Sequence, residues 1–204
     1  MVGVKEKRAK YKEEFRQEIL DAARDLFINE GYEKFSLRKL AEKIEYSPTT
    51  IYLYFKDKDA LLFAICEEFA ERFFTKLNYI RSHSKGPLDA LRQAMLYRIE
   101  FGLDNPNQYR VFFFTNPNVY GTQEDFMTRK SIARDSYLVF REMVQECIET
   151  GKFQDLGVEV ITQALAVATH GLIAANIFNK SFPWADQNVL ATALVDGLLR
   201  GFQK

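Results

Sequence analysis

Residues 36–55, SLRKLAEKIEYSPTTIYLYF, contain two short helical patterns separated by a break of about three residues. The first pattern spaces its apolar residues at i, i+3, i+4 and i+7, as one face of a helix requires. These residues are Leu37, Leu40, Ala41 and Ile44. Ser36 is the expected N-cap of this helix, and Ser47 is the expected N-cap of the second, which begins at Pro48. The segment therefore predicts a helix-turn-helix.

The second helix, from Ser47 to about Phe55, has one face for packing and another for contacts. Ile51 and Phe55 lie four residues apart and form the inner face. The side chains left for contacts are Thr49, Thr50, Tyr52 and Leu53. Hydroxyls can donate to phosphates or base edges, and apolar groups can pack on thymine methyls in a major groove. The spacing alone also fits an ordinary helical hairpin inside a bundle.

A longer stretch, residues 26–62, resembles the TetR family of bacterial transcriptional regulators. It reads LFINEGYEKFSLRKLAEKIEYSPTTIYLYFKDKDALL. The matching elements are Gly31-Tyr32, Ser36, the run Leu37-Arg38-Lys39-Leu40-Ala41, Ser47, Thr50, Ile51, Tyr52, Tyr54, Phe55, Lys56, Lys58 and Leu61. The resemblance extends roughly over residues 13–73. The rest of the chain is similar to the family only in size and helical layout.

The resemblance implies that this segment binds a palindromic operator of double-stranded DNA. Ser36 would cap the first helix of the motif and contact phosphate, and Tyr54 and Lys58 would also touch phosphates. The groove-facing part of the recognition helix would consist of Tyr46, Ser47, Pro48, Thr49, Thr50 and Tyr52.

One departure from the family lies in the turn of the motif. The family usually has glycine followed by a small aliphatic residue, whereas this chain has Glu45-Tyr46. A carboxylate near DNA is repelled by phosphate unless it points away or accepts a hydrogen bond from a cytosine amine. We therefore expect Glu45-Tyr46 to affect the geometry of the turn and the sequence preference.

Charge is balanced over the whole chain, with 28 basic and 28 acidic residues, but it is not evenly placed. Residues 1–12 carry five basic residues against Glu6 alone. A short basic arm ahead of a folded domain often contacts phosphates, and a solvated disordered tail is the alternative. The expected organisation is this arm, a helix-turn-helix domain at 13–57, and an effector-binding and dimerisation domain at 58–204.

Helical spacing continues through the rest of the chain, and strand-like alternation is scarce. Breaks at Pro, Gly and Asn residues divide it into helices, among them one at about 122–150. The predicted fold class is all-α: a three-helix DNA-binding head and a larger helical body, about nine helices in total. Cys66 and Cys147 are far apart, and neither a signal peptide nor a long uninterrupted apolar run is present. We expect a reduced cytoplasmic protein with no membrane partner.

The segment from 95 to 140 is rich in aromatic rings, and consecutive rings on one helix cannot all face the same core. As a group they suggest a pocket with aromatic walls, although any single ring can be ordinary core. Candidate ligand-binding residues are Phe73, Tyr97, Phe101, Tyr109, Phe113, Tyr137 and His170. Few charges punctuate the stretch, so the expected effector is a small apolar or aromatic molecule. A structural role for His170 remains open, and no cofactor or metal site is expected.

Small residues and leucines lie on one face of each of the last two helices. The candidate interface residues are Ala168, Gly171, Ala175, Leu190, Leu194, Gly197 and Leu198. The resemblance implies that these helices pair between two subunits of a homodimer, which also suits palindromic DNA. An intrachain pairing of the same helices is the alternative.

Taken together, these patterns predict a ligand-responsive transcriptional repressor that a small molecule releases from its operator. A DNA-binding regulator without an effector, or one controlled by a protein partner, would use the same head. No nucleophile–base set, phosphate loop or paired-carboxylate constellation stands out, so an enzyme is not expected.

Overall fold

The computed structural model describes residues 3–115 and 119–204, and these ranges form ten α-helices and no β-strand. The helices are α1 (Val4–Glu30), α2 (Leu37–Lys43), α3 (Pro48–Tyr52), α4 (Lys58–His83), α5 (Pro87–Asp104), α6 (Pro106–Phe114), α7 (Gln123–Thr128), α8 (Ile132–Glu149), α9 (Val158–Phe178) and α10 (Gln187–Phe202). An isolated antiparallel bridge pairs Phe153 with Gln203. The predicted all-α class is confirmed.

The prediction of a single helix over 122–150 is wrong, which is why ten helices replace the expected nine. Arg129 leaves the helical conformation, with φ −70° and ψ 132°, and ends α7. The hydroxyl of Ser131 then accepts a hydrogen bond from the backbone amide of Arg134 at 3.1 Å. This N-cap starts α8 as a separate helix, because it satisfies an amide that has no partner within the helix.

The first helix also starts earlier than expected. Residues 4–12, which the sequence suggested as an arm or a disordered tail, are the first turns of α1. The carboxylate of Glu6 accepts from the amide of Gly3 at 2.8 Å and so holds the N-terminal end of the helix. The basic side chains of these turns are exposed.

The chain divides into two compact units, and their limits differ from the expected boundary between residues 57 and 58. One unit contains the chain up to Phe69 together with Asn107–Arg129. The other contains Ala70–Pro106 together with Lys130–Lys204. The first turns of α4 therefore belong to the unit that contains the helix-turn-helix.

The core of the first unit explains this grouping. One face of α1 buries Phe15, Ile19 and Phe27 against Leu40 of α2 and Ile51 of α3. The same core includes Leu61, Leu62 and Ile65 of α4 and Val111 of α6. Burying a side chain of this size contributes about 1.5–3 kcal/mol, so these additions enlarge an otherwise small three-helix core considerably.

In the second unit, α5 is the central helix and packs against α8, α9 and α10. Its inner face buries Leu91, Met95 and Ile99. The guanidinium of Arg92 donates to both carboxylate oxygens of Asp196 on α10, at 2.6 and 3.1 Å. This two-point ion pair fixes the register of α5 against α10.

Within the described ranges, α9 is the only helix long and apolar enough to cross a membrane by length and composition. Such a result for a single helix is weak evidence for a span. Several apolar residues of α9 are exposed rather than packed in the core, and they contribute to the surface of the second unit.

Candidate nucleic-acid interface and ligand groove

The turn between α2 and α3 is a hydrogen-bonded helix terminus. Glu45 adopts φ 59° and is the only non-glycine residue of the described chain with positive φ. The amide of Tyr46 donates to the carbonyl of Ala41 at 2.9 Å, and the amide of Glu45 donates to Glu42 at 3.3 Å. These two bonds form a Schellman motif, in which glycine is the usual left-handed residue. The unusual Glu45 therefore occupies the strained position of the turn.

Helix α3 is short, and its N-terminal end is capped by Ser47. The Ser47 hydroxyl accepts from the amide of Thr50 at 3.2 Å and lies 2.9 Å from the Thr50 hydroxyl. Ile51 is completely buried, whereas Tyr52 is 56% exposed and Leu53 77% exposed. The burial of Ile51 and Phe55 and the exposure of Thr49, Tyr52 and Leu53 are as predicted, but the helix ends at Tyr52 rather than at about Phe55. Ser36 caps α2 in the same way, by accepting from the amide of Lys39 at 3.2 Å.

Two predicted contact tyrosines rest on the N-terminal helix. The ring of Tyr46 lies 4.4 Å from that of Phe15, and the ring of Tyr54 lies 5.2 Å from it. Tyr46 is 39% exposed. A side-chain hydrogen bond with Tyr11 raises the pKa of Tyr46. The sequence did not reveal these contacts of Tyr11 and Phe15, which connect the first turns of α1 to the turn before α3.

The start of α4 places Lys58 beside an aromatic ring. Its ammonium lies 3.9 Å from the centre of the Tyr32 ring, a cation–π contact. The carboxylate of Asp57 accepts from the amide of Ala60 at 2.7 Å and caps the helix. Asp57 thus occupies an amide of α4 that a phosphate could otherwise use, and Lys58 lies beside it at the start of the helix. Asp57 has the residue type of an N-cap, which was the available signal.

Three predicted ligand residues come together in the second unit. The rings of Phe73 and Tyr97 are stacked at 5.7 Å with an angle of 10°. Phe101 lies 5.8 Å from Phe73 and 5.6 Å from Tyr97. Tyr97 and Phe101 line a groove of about 690 Å³ between the second half of α4 and the C-terminal half of α5. The groove is large enough for a small organic ligand.

The walls of this groove are more charged than the sequence suggested. Glu71, Glu100 and Asp104 contribute three carboxylates, against the single guanidinium of Arg72. Arg72 donates to the side-chain oxygen of Asn105 at 3.1 Å and lies 5.4 Å over the ring of Phe101. Burial raises the pKa of Tyr97; Arg72 acts against this shift, and Glu100 and Asp104 add to it. The carboxylates of α5 recur at i and i+4, which was the missed signal.

Phe73 stacks on Tyr97 without lining this groove, and the other predicted ligand residues lie elsewhere. Tyr109 and Phe113 belong to the first unit, where their rings are 4.4 Å apart. The hydroxyl of Tyr137 donates to Glu159 at 2.5 Å. His170 is half-buried on α9, and burial, together with Arg98, lowers its pKa. Since a lowered pKa favours neutral imidazole, His170 is positioned here as an uncharged group.

The predicted dimer residues lie on a partly exposed apolar surface, which we call the α9–α10 face. Gly171 and Gly197 are exposed, and a Cβ atom added at either would meet no atom within 4 Å. The half-exposed members are Ala168, Ala175, Leu190, Leu194 and Leu198. Larger exposed apolar side chains on the same two helices are Val160, Val167, Phe178 and Val189. A surface of this kind is typical of protein interfaces.

The helix-turn-helix region matches a known protein family. Residues 19–65 fit the family described as "Bacterial regulatory proteins, tetR family". The chain is 46% identical over 57 residues to an HTH-type transcriptional repressor of Mycobacterium tuberculosis, covering 28% of this chain and 30% of that protein. It is 29% identical over 92 residues to an HTH-type transcriptional regulator of Staphylococcus aureus, covering 45% of this chain and 50% of the relative. The chain therefore matches half or less of the length of these relatives.

Solved structures share the fold over nearly the whole chain. A TetR family transcription regulator from Marinobacter aquaeolei superposes with a TM-score of 0.76 at 19% identity, covering 96% of this chain and 99% of that one. The structure of the regulator FadR from Bacillus subtilis in complex with stearoyl-CoA superposes with a TM-score of 0.76 at 18% identity, covering 92% of this chain and 99% of that one. Residues 19–65 are therefore a helix-turn-helix of the tetR family of bacterial regulatory proteins, and the whole chain shares its all-helical fold with regulators that carry this domain.

Proposed function

We propose that this chain is a sequence-specific DNA-binding regulator that represses transcription from a palindromic operator. The proposal rests on one observation, namely that α3 is held firmly on its inner side and exposed on its outer side. This helix is capped at Ser47, anchored by the buried Ile51, and exposes Tyr52 and Leu53. A helix held in this way by a second short helix is the smallest unit that enters a major groove.

The proposed contacts divide into two classes. Tyr46, Ser47, Pro48, Thr49, Thr50 and Tyr52 face base edges or nearby sugars. Ser36, Tyr54 and Lys58 contact phosphates and fix the register of the head on the duplex. The exposed basic turns of α1 add further phosphate contacts, because Tyr11 and Phe15 attach that helix to Tyr46.

We assign dimerisation to the α9–α10 face. Two copies related by a two-fold axis would bury the exposed valines and Phe178 against each other. Gly171 and Gly197 would allow the paired helices to approach closely. The two heads of a dimer bind two half-sites at once. Because the heads are linked, the affinity of the dimer for the operator is much higher than that of one head for one half-site.

We assign effector binding to the groove beside Phe73, Tyr97 and Phe101. The effector has an apolar or aromatic body that packs on Tyr97 and Phe101, and its binding lowers the affinity of the dimer for DNA. Such an effect requires that the ligand bind the DNA-free state more tightly than the DNA-bound state. In this assignment the arm (1–12) and head (13–57) bind DNA in the cytoplasm, and residues 58–204 bind effector and partner subunit.

The direct test is selection of binding sites from random duplex DNA with the purified full chain, followed by fluorescence anisotropy. We expect an inverted repeat to be selected and log affinity to fall linearly with log salt concentration. Tyr52→Ala should reduce the preference for the selected site over scrambled duplex by about 1–3 kcal/mol. Tyr79→Ala on α4 is the matched control, since Tyr79 is 54% exposed in the second unit and outside the proposed contacts, and it should leave the preference for the site over scrambled duplex unchanged.

Selection of no sequence at all, with binding equal on every duplex, would refute sequence-specific regulation. Selection of a single half-site by a monomer would refute only the dimeric part. Operator binding that no small molecule alters would favour a regulator without an effector, or one that a protein partner controls.

A further inference from the structure

We propose that the groove between α4 and α5 takes an organic cation with an aromatic or apolar body. The inference rests on the proposed function in one respect, namely that this groove is the effector site. It goes further by assigning a charge to the ligand. Sequence reasoning indicated only an apolar or aromatic molecule.

The rings at the groove supply the first argument. Tyr97 and Phe101 line the groove with their ring centres 5.6 Å apart, and Phe73, which is not a lining residue, stacks on Tyr97 at 5.7 Å. The face of an aromatic ring carries partial negative charge and attracts cations. Arg72 already uses this property, because its guanidinium lies 5.4 Å over Phe101. The same surface offers apolar contact area to the body of a ligand.

The arrangement of carboxylates supplies the second argument. Glu71 belongs to one wall of the groove, on α4, while Glu100 and Asp104 belong to the other wall, on α5. A cation between the walls is attracted by both. The helix α5 ends at Asp104, and the C-terminal end of a helix dipole is negative as well. Negative side chains at that end repel the dipole, so this placement is locally unfavourable and is typical of a functional position.

The cation already present does not neutralise the groove. Among the described residues that line the groove, Arg72 is a single positive charge against three carboxylates, and it donates to Asn105 and lies over the ring of Phe101. An anionic ligand would face an excess of like charge. A neutral aromatic ligand would gain the ring contacts but nothing from the carboxylates. A cation with an apolar body is the class that uses both features.

The test uses two probes that share a shape and differ in charge: tetraphenylphosphonium, a cation, and tetraphenylborate, an anion. Isothermal titration of the full chain should give an affinity for the cation at least tenfold higher than for the anion. The difference should shrink as salt is added, because the carboxylates of the groove are exposed to solvent. Equal affinities for the two probes would overturn the proposal.

Variants of the groove carboxylates test whether tetraphenylphosphonium binds in the groove. Glu100→Gln and Asp104→Asn are exposed changes of nearly constant shape, and each should weaken tetraphenylphosphonium binding about three- to tenfold. Glu149→Gln on α8 removes the same charge from an exposed position outside the groove, and it should leave the affinity within twofold. An equal loss in all three variants would indicate a general charge effect and would refute the site. An unchanged affinity in Glu100→Gln and Asp104→Asn would indicate adsorption elsewhere, for example on the α9–α10 face, and would also refute it.

Operator binding is measured separately on the same preparations, so the two proposals can fail independently. Loss of the cation preference with intact binding to the inverted repeat would refute the ligand class and leave the regulator standing. Selective cation binding by a chain that selects no DNA sequence would support the groove and refute the proposed function. Selective cation binding that does not weaken operator binding would support the site and refute its role as the effector site.

Discussion

The backbone amide of Tyr46 donates to the carbonyl oxygen of Ala41 at 2.9 Å, and this bond closes the end of α2 immediately before the recognition helix. The bond requires Glu45 to adopt φ 59°. A residue with a Cβ atom pays about 1 kcal/mol or more for that conformation, while glycine adopts it freely. The chain therefore retains strain at the turn that sets the angle of α3.

We expect Glu45→Gly to stabilise the protein by about 1 kcal/mol, since glycine removes the strain of the left-handed conformation. For a chain of this length, that corresponds to a rise in Tm of about 2–4 °C. Thermal unfolding followed by circular dichroism measures the shift. Glu45→Gln is the matched control, because it removes the charge and keeps the Cβ atom; its Tm should stay close to that of the parent.

The same pair of variants tests whether the charge of Glu45 opposes DNA binding. Both substitutions remove a carboxylate that phosphates repel, so both should raise operator affinity if Glu45 lies near the backbone of the duplex. An equal rise in Tm for the two variants would contradict the strain argument. It would show that the charge of Glu45, and not its backbone conformation, lowers the stability of the protein.

The basic side chains on the first turns of α1 should contribute to the salt dependence of DNA binding. Lys5, Lys7 and Arg8 are exposed on a helix that Tyr11 and Phe15 attach to the turn before α3. In the triple alanine variant, the slope of log affinity against log salt should decrease in magnitude by about 0.9 for each phosphate that the protein no longer neutralises. Alanine preserves the helix, so the effect measures charge.

A control triple variant tests whether position matters or only net charge. Lys130, Lys152 and Lys180 are exposed in the second unit, and their replacement by alanine changes the net charge by the same amount. We expect the slope to be unchanged in this control. Equal slopes in both variants and the parent would exclude α1 from the interface.

The sequence predicted the helix-turn-helix closely because its determinants are local. Ser36 and Ser47 each cap a helix through a hydroxyl three residues from the amide that donates to it. Ile51 and Phe55 bury the face that their spacing indicates. Contacts within four residues can be inferred from spacing and residue type.

The groove was only half predicted, because its residues are neighbours through packing rather than along the chain. Phe73 meets Tyr97 only where α4 and α5 are adjacent. The ring count indicated a pocket but could not show that Glu71 and Glu100 belong to its walls. Similarly, the break at Ser131 was missed because residues 128–131 are polar but contain no proline, glycine or asparagine to mark the end of a helix. The capping serine at 131 divides α7 from α8.

His170 should make the stability of the fold depend on pH. Burial and Arg98 lower its pKa below the ordinary value of 6.5, so the unfolded state binds the proton more readily than the folded state. The contribution of neutral His170 is complete above about pH 6.5 and is lost as pH falls through the lowered pKa of the folded state. Urea unfolding at a series of pH values, from neutral to mildly acidic, measures this loss.

The variant His170→Gln should flatten that profile, because glutamine does not titrate. An identical decline in stability for parent and variant would assign the pH dependence to other groups and would show that His170 does not act as argued.

The glycines of the α9–α10 face should distinguish a subunit interface from a free surface. A Cβ atom at Gly171 or Gly197 meets nothing within 4 Å, so larger side chains fit the single subunit. Gly171→Ala should even stabilise the helix by about 1 kcal/mol, since glycine is a poor helix former. In a dimer, however, Gly171→Leu and Gly197→Leu would separate helices that pair closely. We expect these two variants to weaken dimerisation at least tenfold, as measured by analytical ultracentrifugation.

A leucine added elsewhere is the necessary control, because an exposed apolar side chain can itself alter association. Lys152 is exposed in the connection between α8 and α9, and Lys152→Leu should leave the dimer unchanged. Urea unfolding of each variant checks that the subunit retains its fold. If Gly171→Leu and Gly197→Leu both fold and dimerise like the parent, the interface lies elsewhere. If they fold as monomers and lose affinity for the inverted repeat while retaining nonspecific binding, the α9–α10 face is the contact that joins two half-site heads into one operator-binding dimer.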